Sequence, residues 1–152
     1  MKQYWILKSE PDTFSMDDLV TQKKSFWDGV RNYQARNFIK SMQAGEEAFF
    51  YHSSCKQIGI AGKIKISTMP EFDPTQFDVK SQYYDLRAKP EAPLWWGVWV
   101  VPVKKYSSIF SLESLKSVTE FKNHPITRKG NRLSVLPIEL KQFVAIDKIL
   151  GP

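Results

Sequence analysis

The hydrophobic period changes once along this chain, and that change fixes the class of fold open to it. Ala35, Phe38, Ile39 and Met42 recur at the spacing of an amphipathic helix, with Asn32 placed to cap its start and Gly45 to let the chain out. Further on, Ile58, Ile60, Ile64 and Ile66 alternate with small or charged residues around Gly62. That is the period of a strand, with a bulge or a close backbone approach at the glycine. Tyr4 to Leu7, Ala48 to Tyr51 and Leu94 to Val101 read as further strands. Ser15 and Asp18 have capping-box spacing and start a short helix through Leu19 and Val20, while Pro137 stands ahead of a last helix carrying Leu140, Phe143, Val144 and Ile146 through Leu150. Helices and strands mix without a strict βαβ rhythm, so the class is α+β, and several short strands favour a small barrel. The run from Met69 to Pro93, rich in Pro, Asp and Tyr, is long for a loop inside one domain and marks a functional segment.

A chain of 152 residues is the size of one domain, and residues 1–152 read as one. Cys55 is the only cysteine, which precludes an intrachain disulfide and points to the cytosol, or the nucleus of a eukaryote. The apolar run after Met1 is too short for a signal peptide and is followed at once by Lys8 and Glu10. No other segment approaches the roughly 20 apolar residues that span a bilayer, since Leu94 to Val103 is broken by Gly97 and Pro102. The oligomeric state is open, with a monomer the simplest expectation.

Catalytic constellations are few. His52, His124 and Cys55 are the only soft metal ligands, and no second close pair completes a four-ligand set. A Cys55–His124 nucleophilic pair has no local signature, and the seven glycines never take the spacing of a phosphate-cradling loop. The acid pairs Asp17-Asp18 and Glu46-Glu47 sit at helix-start and turn positions, where solvated surface explains them. No metal, cofactor or enzymatic machinery is expected.

A recognition vocabulary does stand out. The segment Trp27-Asp28-Gly29-Val30-Arg31-Asn32-Tyr33-Gln34-Ala35-Arg36-Asn37 sets two Arg and three polar amides beside a Trp. Asn can pair with a base edge, Arg can bind phosphate or stack, and Trp offers a π-face. The plainer reading of the same residues makes Asn32 a helix cap, Arg31 and Arg36 solvated, and Trp27 core. Aromatics make up 14% of the chain and the net charge is +6, which suit a polyanionic partner without demanding one.

Five ordered motifs carry a resemblance to a known family over essentially the whole length. They are Trp5 with Lys8-Ser9-Glu10-Pro11; Trp27-Asp28-Gly29-Val30-Arg31-Asn32 with Ala35-Arg36-Asn37; Phe50-Tyr51-His52-Ser53; Gly59-Ile60-Ala61-Gly62; and Arg132-Leu133-Ser134-Val135. The chain resembles the EVE domain family. The resemblance implies a PUA-like, small and mostly antiparallel β-barrel with flanking helices, related to the YTH domains that read methylated adenine in RNA. It departs from the family at Tyr83-Tyr84-Asp85-Leu86-Arg87, where Asp-Pro-Lys more often follows the tyrosines.

On the matched positions, a base of DNA or RNA, in the first place a modified one, is expected to enter a pocket walled by Trp27 and a second aromatic, Tyr51 or Tyr84. Ser9, Asn32 and the backbone near Gly62 set the identity of the base edge. Lys8, Arg31 and Arg36, with Lys122, Arg128, Lys129 and Arg132, are candidates for a phosphate track. Glu10, Val30, Ala35, Asn37, Ser53 and Ser134 complete the candidate site as neighbours within the same motifs. Arg132 has a rival role as an ion-pair partner of Glu10 or Asp28. Two other classes stay open: an enzyme acting on a nucleotide or small molecule through His52, Cys55 or Glu10, and a protein interaction module using the aromatics of Leu94 to Trp99.

Overall fold

A computed structural model describes residues 2–151 of the chain. Its strands are β1 (Tyr4–Ser9), β2 (Ser25–Trp27), β3 (Glu47–His52), β4 (Gly59–Ile66), β5 (Glu71–Phe72), β6 (Trp96–Ser111) and β7 (Val135–Ile138). Its α-helices are α1 (Met16–Gln22), α2 (Tyr33–Ser41), α3 (Leu112–Lys116) and α4 (Leu140–Leu150). The strands form one sheet in the order β2-β6-β4-β3-β1-β7, with β5 added on β6. The β1–β3 pair is parallel and the other ladders are antiparallel. Among the described residues no ladder joins β2 to β7, so the sheet is a curled half-barrel rather than a closed one.

Both faces of the sheet are covered. Alternation along β1 sends Trp5 and Leu7 into one core, with Trp27, Ile39 and Phe50, and sends Ile6 into a second core with Phe49, Phe143 and Ile146. A two-sided sheet of this kind blurs the alternation that a half-solvated strand displays. In β4 a further effect acts. Phe50 pairs with Gly62 and Tyr51 with Ile60, so Ala61 is an extra residue in the ladder. The bulge moves Ile60 into the second core while Ile64 and Ile66 face the first. Gly62 itself lies tight against Met16, whose thioether is 2.6 Å from where a Cβ would stand.

The helix starts follow the sequence. Ser15 and Asp18 form the expected capping box, and the Asn32 side chain accepts from the Ala35 amide at 2.9 Å. α2 buries Ala35 and Ile39, with Met42 just past its end and Phe38 packed partly against the first core. Three expectations shift. Pro137 lies inside β7 rather than at the start of α4, whose N-cap is Glu139. Pro is tolerated there because β7 is a sheet edge, where one strand face has no ladder to break. β6 begins later than Leu94 and runs far past Pro102 to Ser111, with a wide bulge in which Ile60 pairs with Phe110 and Gly62 with Lys105. Within the Met69 to Pro93 run the chain forms β5 and a 3-10 turn over Pro74–Phe77. No helix among the described residues is long and apolar enough to cross a membrane.

Candidate functional site

Where the C-terminal ends of β1 and β3 meet the end of β2, a cleft of about 620 Å³ opens. It takes Lys8, Ser9 and Glu10 from β1 and its exit, Thr13 and Phe14 from the turn beyond, and Phe26 to Val30 from β2 and the segment after it. Ser53 and Ser54 come from the end of β3, Tyr83 from the long loop, and Asn131, Arg132 and Ser134 from the approach to β7. Parallel pairing of β1 with β3 brings Lys8 and Ser9 beside Tyr51 and His52, and the Ser53 amide donates to the Ser9 carbonyl at 2.9 Å. The Lys8 amide donates to the Ser134 carbonyl at 2.8 Å, which fixes the opposite rim.

Trp27 is only 6% exposed, yet it lines the cleft. Its ring meets Phe50 edge-on with centroids 5.2 Å apart and Phe14 at 6.3 Å. It therefore serves both as core and as wall. Tyr83 lines the same cleft. Gly29, at φ +78°, lies directly beneath its ring: a Cβ there would stand 2.6 Å from Tyr83 Cζ. Only glycine meets both demands without strain.

A buried polar knot holds Tyr83 there. Asp73 is fully buried and accepts from the Gly29 amide at 2.8 Å, from Arg31 Nη1 at 2.9 Å and from the Thr75 amide at 2.8 Å. Arg31 in turn donates to the Tyr83 carbonyl from Nε and Nη2, at 3.0 and 2.8 Å. Gln76, also fully buried, ties the loop to β6 by donating to the Trp95 carbonyl at 2.8 Å and accepting from the Leu94 and Trp95 amides. The long run between Met69 and Pro93 is thus a fixed wall, and these bonds are what hold it.

Charge inside the cleft is unpaired. Among the described residues Lys8, Glu10, Asp28 and Arg132 take part in no ion pair. The expected pairing of Arg132 with Glu10 or Asp28 is absent, and its guanidinium stands exposed at the rim. Partial burial pushes the Asp28 carboxyl above its ordinary range, the negative Asp73 adds to this, and Arg31 opposes it. Burial likewise raises the Tyr83 phenol, with Asp28 and Glu10 contributing, so it stays a donor. Burial lowers Lys8, whose ammonium lies 5.7 Å from the centre of the Tyr51 ring.

Of the sequence candidates, Lys8, Ser9, Glu10, Trp27, Val30, Ser53, Arg132 and Ser134 come together around the cleft. The others lie elsewhere. Arg31 is in the Asp73 knot behind the wall, and Asn32 caps α2. Ala35 is in the first core, while Arg36 lies over Tyr33, bonds the Leu94 carbonyl and holds Asn37. Tyr51 is buried in the second core, its phenol pushed up to about 12 by that burial, and it reaches the cleft only as the platform under Lys8. Gly62 sits inside the sheet against Met16, and Tyr84 points to solvent. Tyr83, rather than Tyr51 or Tyr84, is the tyrosine that lines the cleft. A turn that alternates side chains selects one of two adjacent tyrosines, and the glycine at 29 was the available signal. Asn32→Ala is expected to cost about 1 kcal/mol of stability and to leave any ligand preference unchanged, checked by thermal melting beside titration.

The match to known proteins is broad. The EVE domain family model matches residues 3–149. Human thymocyte nuclear protein 1 is 40% identical, the alignment covering 94% of this chain and 72% of that protein. A solved Pseudomonas syringae protein is 44% identical with a TM-score of 0.93 over 96% of this chain and 98% of its own. The structure of human THYN1 protein in complex with 5-methylcytosine-containing DNA is 37% identical, with a TM-score of 0.92 over 99% of both chains. At 13% identity and a TM-score of 0.56, over 98% of this chain and 86% of the other, the YTH domain of Zygosaccharomyces rouxii MRB1 shares the fold.

Proposed function

The chain belongs to the EVE domain family, and from that premise we propose that it is a nucleic-acid-binding module that takes one base, foremost a modified one, between Trp27 and Tyr83. The observation that carries this reading is a cleft whose two aromatic walls are fixed before any ligand arrives, with unpaired polar groups on its rim. Rigid walls spare the entropy that stacking otherwise loses, and stacking on an aromatic is worth about 1–3 kcal/mol per base. The DNA held by the human relative, which contains 5-methylcytosine, supports the choice of ligand.

Identity then falls to the edge groups. The Asp28 carboxylate accepts from an exocyclic amine such as that of cytosine, and the Tyr83 hydroxyl and the Ser134 segment contact the remaining edge. A methyl group buried on the apolar side adds only about 1 kcal/mol, so shape and lost hydrogen bonds carry most of the discrimination. Lys8 and Arg132 at the rim, continued by the exposed Lys122, Arg128 and Lys129, form the phosphate track.

The reading is of a binder rather than a catalyst. His52, His124 and Cys55 do not line the cleft: His52 accepts from the Met16 amide, and His124 is held by Pro137 and Ile126. Of the three candidates for catalysis, Glu10 lines the cleft while His52 and Cys55 do not, which favours binding over thiol or imidazole chemistry there.

The test is a titration of single-stranded and duplex oligonucleotides that differ in one base, at fixed salt, with pH as a second axis. Because the Asp28 carboxyl is raised, it begins to take up a proton at a higher pH than an ordinary aspartate. It accepts more strongly when ionised, so affinity for an amine-bearing base falls as the pH drops through that raised value. Asp28→Ala is expected to lower affinity for such a base by about 1–3 kcal/mol and to flatten this pH dependence. Unchanged affinity and an unchanged pH profile would remove Asp28 from the base edge.

A further inference from the structure

Two large aromatics next to the cleft belong to neither core. Phe26 and Trp99 pair across β2 and β6 and meet edge-on with centroids 5.6 Å apart, yet both stand outside the two buried clusters. Alternation explains where they point. Their neighbours Trp27, Val98 and Val100 fill the first core, so Phe26 and Trp99 face the other way. Burial does not account for their being there.

They are nonetheless held in place. Gly97 lies under Phe26: a Cβ there would stand 2.6 Å from the ring, and a larger residue would push it away. Both rings are partly exposed, and Phe26 lines the cleft as well as this face. Cations gather on the same side. The Lys24 ammonium lies 5.4 Å from the centre of the Trp99 ring, and Lys65, between Val101 and Glu47 on the neighbouring strands and on the face opposite Ile64 and Ile66, is exposed. Among the described residues neither lysine has a carboxylate partner.

We infer that this outer face of β2 and β6 is a stacking platform for the nucleotides that flank the read base on a single strand, with Phe26 and Trp99 under the bases and Lys24 and Lys65 on their phosphates. The inference rests on the proposed reading of the cleft. Three observations select this occupant: the rings are pre-placed, the Lys24 ammonium lies on Trp99 without an ion-pair partner among the described residues, and Phe26 belongs to both surfaces, so a strand leaving the cleft passes over it. A lysine lying on a ring is a movable cover. On binding, the ammonium swings to a phosphate and the ring face passes to a base.

The experiment compares two probes, the mononucleotide of 5-methyl-2′-deoxycytidine and a single-stranded heptamer with that residue at its centre. Both are titrated against the full chain and against Trp99→Ala and Lys24→Ala, the fold of each checked by thermal melting. Trp99→Ala is expected to weaken the heptamer about 5- to 150-fold and leave the mononucleotide unchanged. Lys24→Ala, at an exposed position, is expected to lower the salt slope of heptamer binding by about one and to keep the fold intact. Heptamer binding that neither variant alters overturns the inference. So does equal weakening of both probes, which assigns the residues to the cleft. A dimer in sedimentation that Trp99→Ala dissolves, with heptamer binding unaffected, makes the face an interface between copies. If the wild type binds neither probe, the reading of the cleft fails and this inference with it.

Discussion

Replacing Asp73 by Ala is expected to destabilise the chain by about 3–5 kcal/mol, because its buried carboxylate forms the ion pair of the mostly buried Arg31 guanidinium. Four donors converge on it, from Gly29, Arg31 and both polar groups of Thr75. Truncation removes the acceptor these partly buried donors share, and leaving such groups unmet costs more than the bonds themselves are worth. The effect also reaches the cleft. Arg31 is what holds the Tyr83 carbonyl, so the protein that remains folded should bind its base more weakly, as the wall over Gly29 loosens. Denaturant unfolding and titration on the same sample separate the two losses. A cost below about 1 kcal/mol with unaltered affinity would place the loop in the keeping of Gln76 alone.

Trp27→Ala is expected to act twice. The residue is nearly buried against Phe14 and Phe50, so the cavity left behind should cost about 3–5 kcal/mol of stability. It also lines the cleft, so folded protein should lose a further 1–3 kcal/mol, approximately, of base affinity. Core and wall are not alternatives at this position. Trp27→Phe separates them: a ring is kept, so stability should fall by less, about 1–2 kcal/mol, while the smaller face reduces stacking. If Trp27→Phe keeps full affinity, the ring is structural and the base lies elsewhere in the cleft.

What the sequence disclosed and what it hid divide along physical lines. Local chemistry was legible: the Ser15–Asp18 box, the Asn32 cap, the face of α2 and the bulge near Gly62 are each fixed by a few adjacent residues. The period-two segments together with the family motifs point to a small barrel, which the structure leaves open as a half-barrel, and its partners β1 and β3 carry two of those motifs into register. Non-local choices were not legible. Whether Tyr83 or Tyr84 faces the cleft depends on Arg31 and Asp73, 42 positions apart, and on a glycine whose empty side seats the ring. Tyr51 alternates with Phe50 along β3, and only the bulged register shows which of the two looks into which core. The long loop read as functional because of its length, and its rigidity comes from the buried Asp73 and Gln76, which composition alone marks as surface residues.

The central claim is that the base sits between Trp27 and Tyr83, and two other clefts offer a ready comparison. One of about 890 Å³ lies along β7 beside His124 and Leu140, and one of about 750 Å³ lies beside His52 and Tyr106. Amide chemical shifts of the isotope-labelled chain, followed while 5-methyl-2′-deoxycytidine is added, report which of the three is filled. The account predicts that the largest changes fall on Lys8, Trp27 to Val30, Ser53, Tyr83 and Ser134, saturating together as one site. Changes centred on Glu120 to His124 or on Tyr106 to Ile109, with the Trp27 segment unmoved, would contradict it.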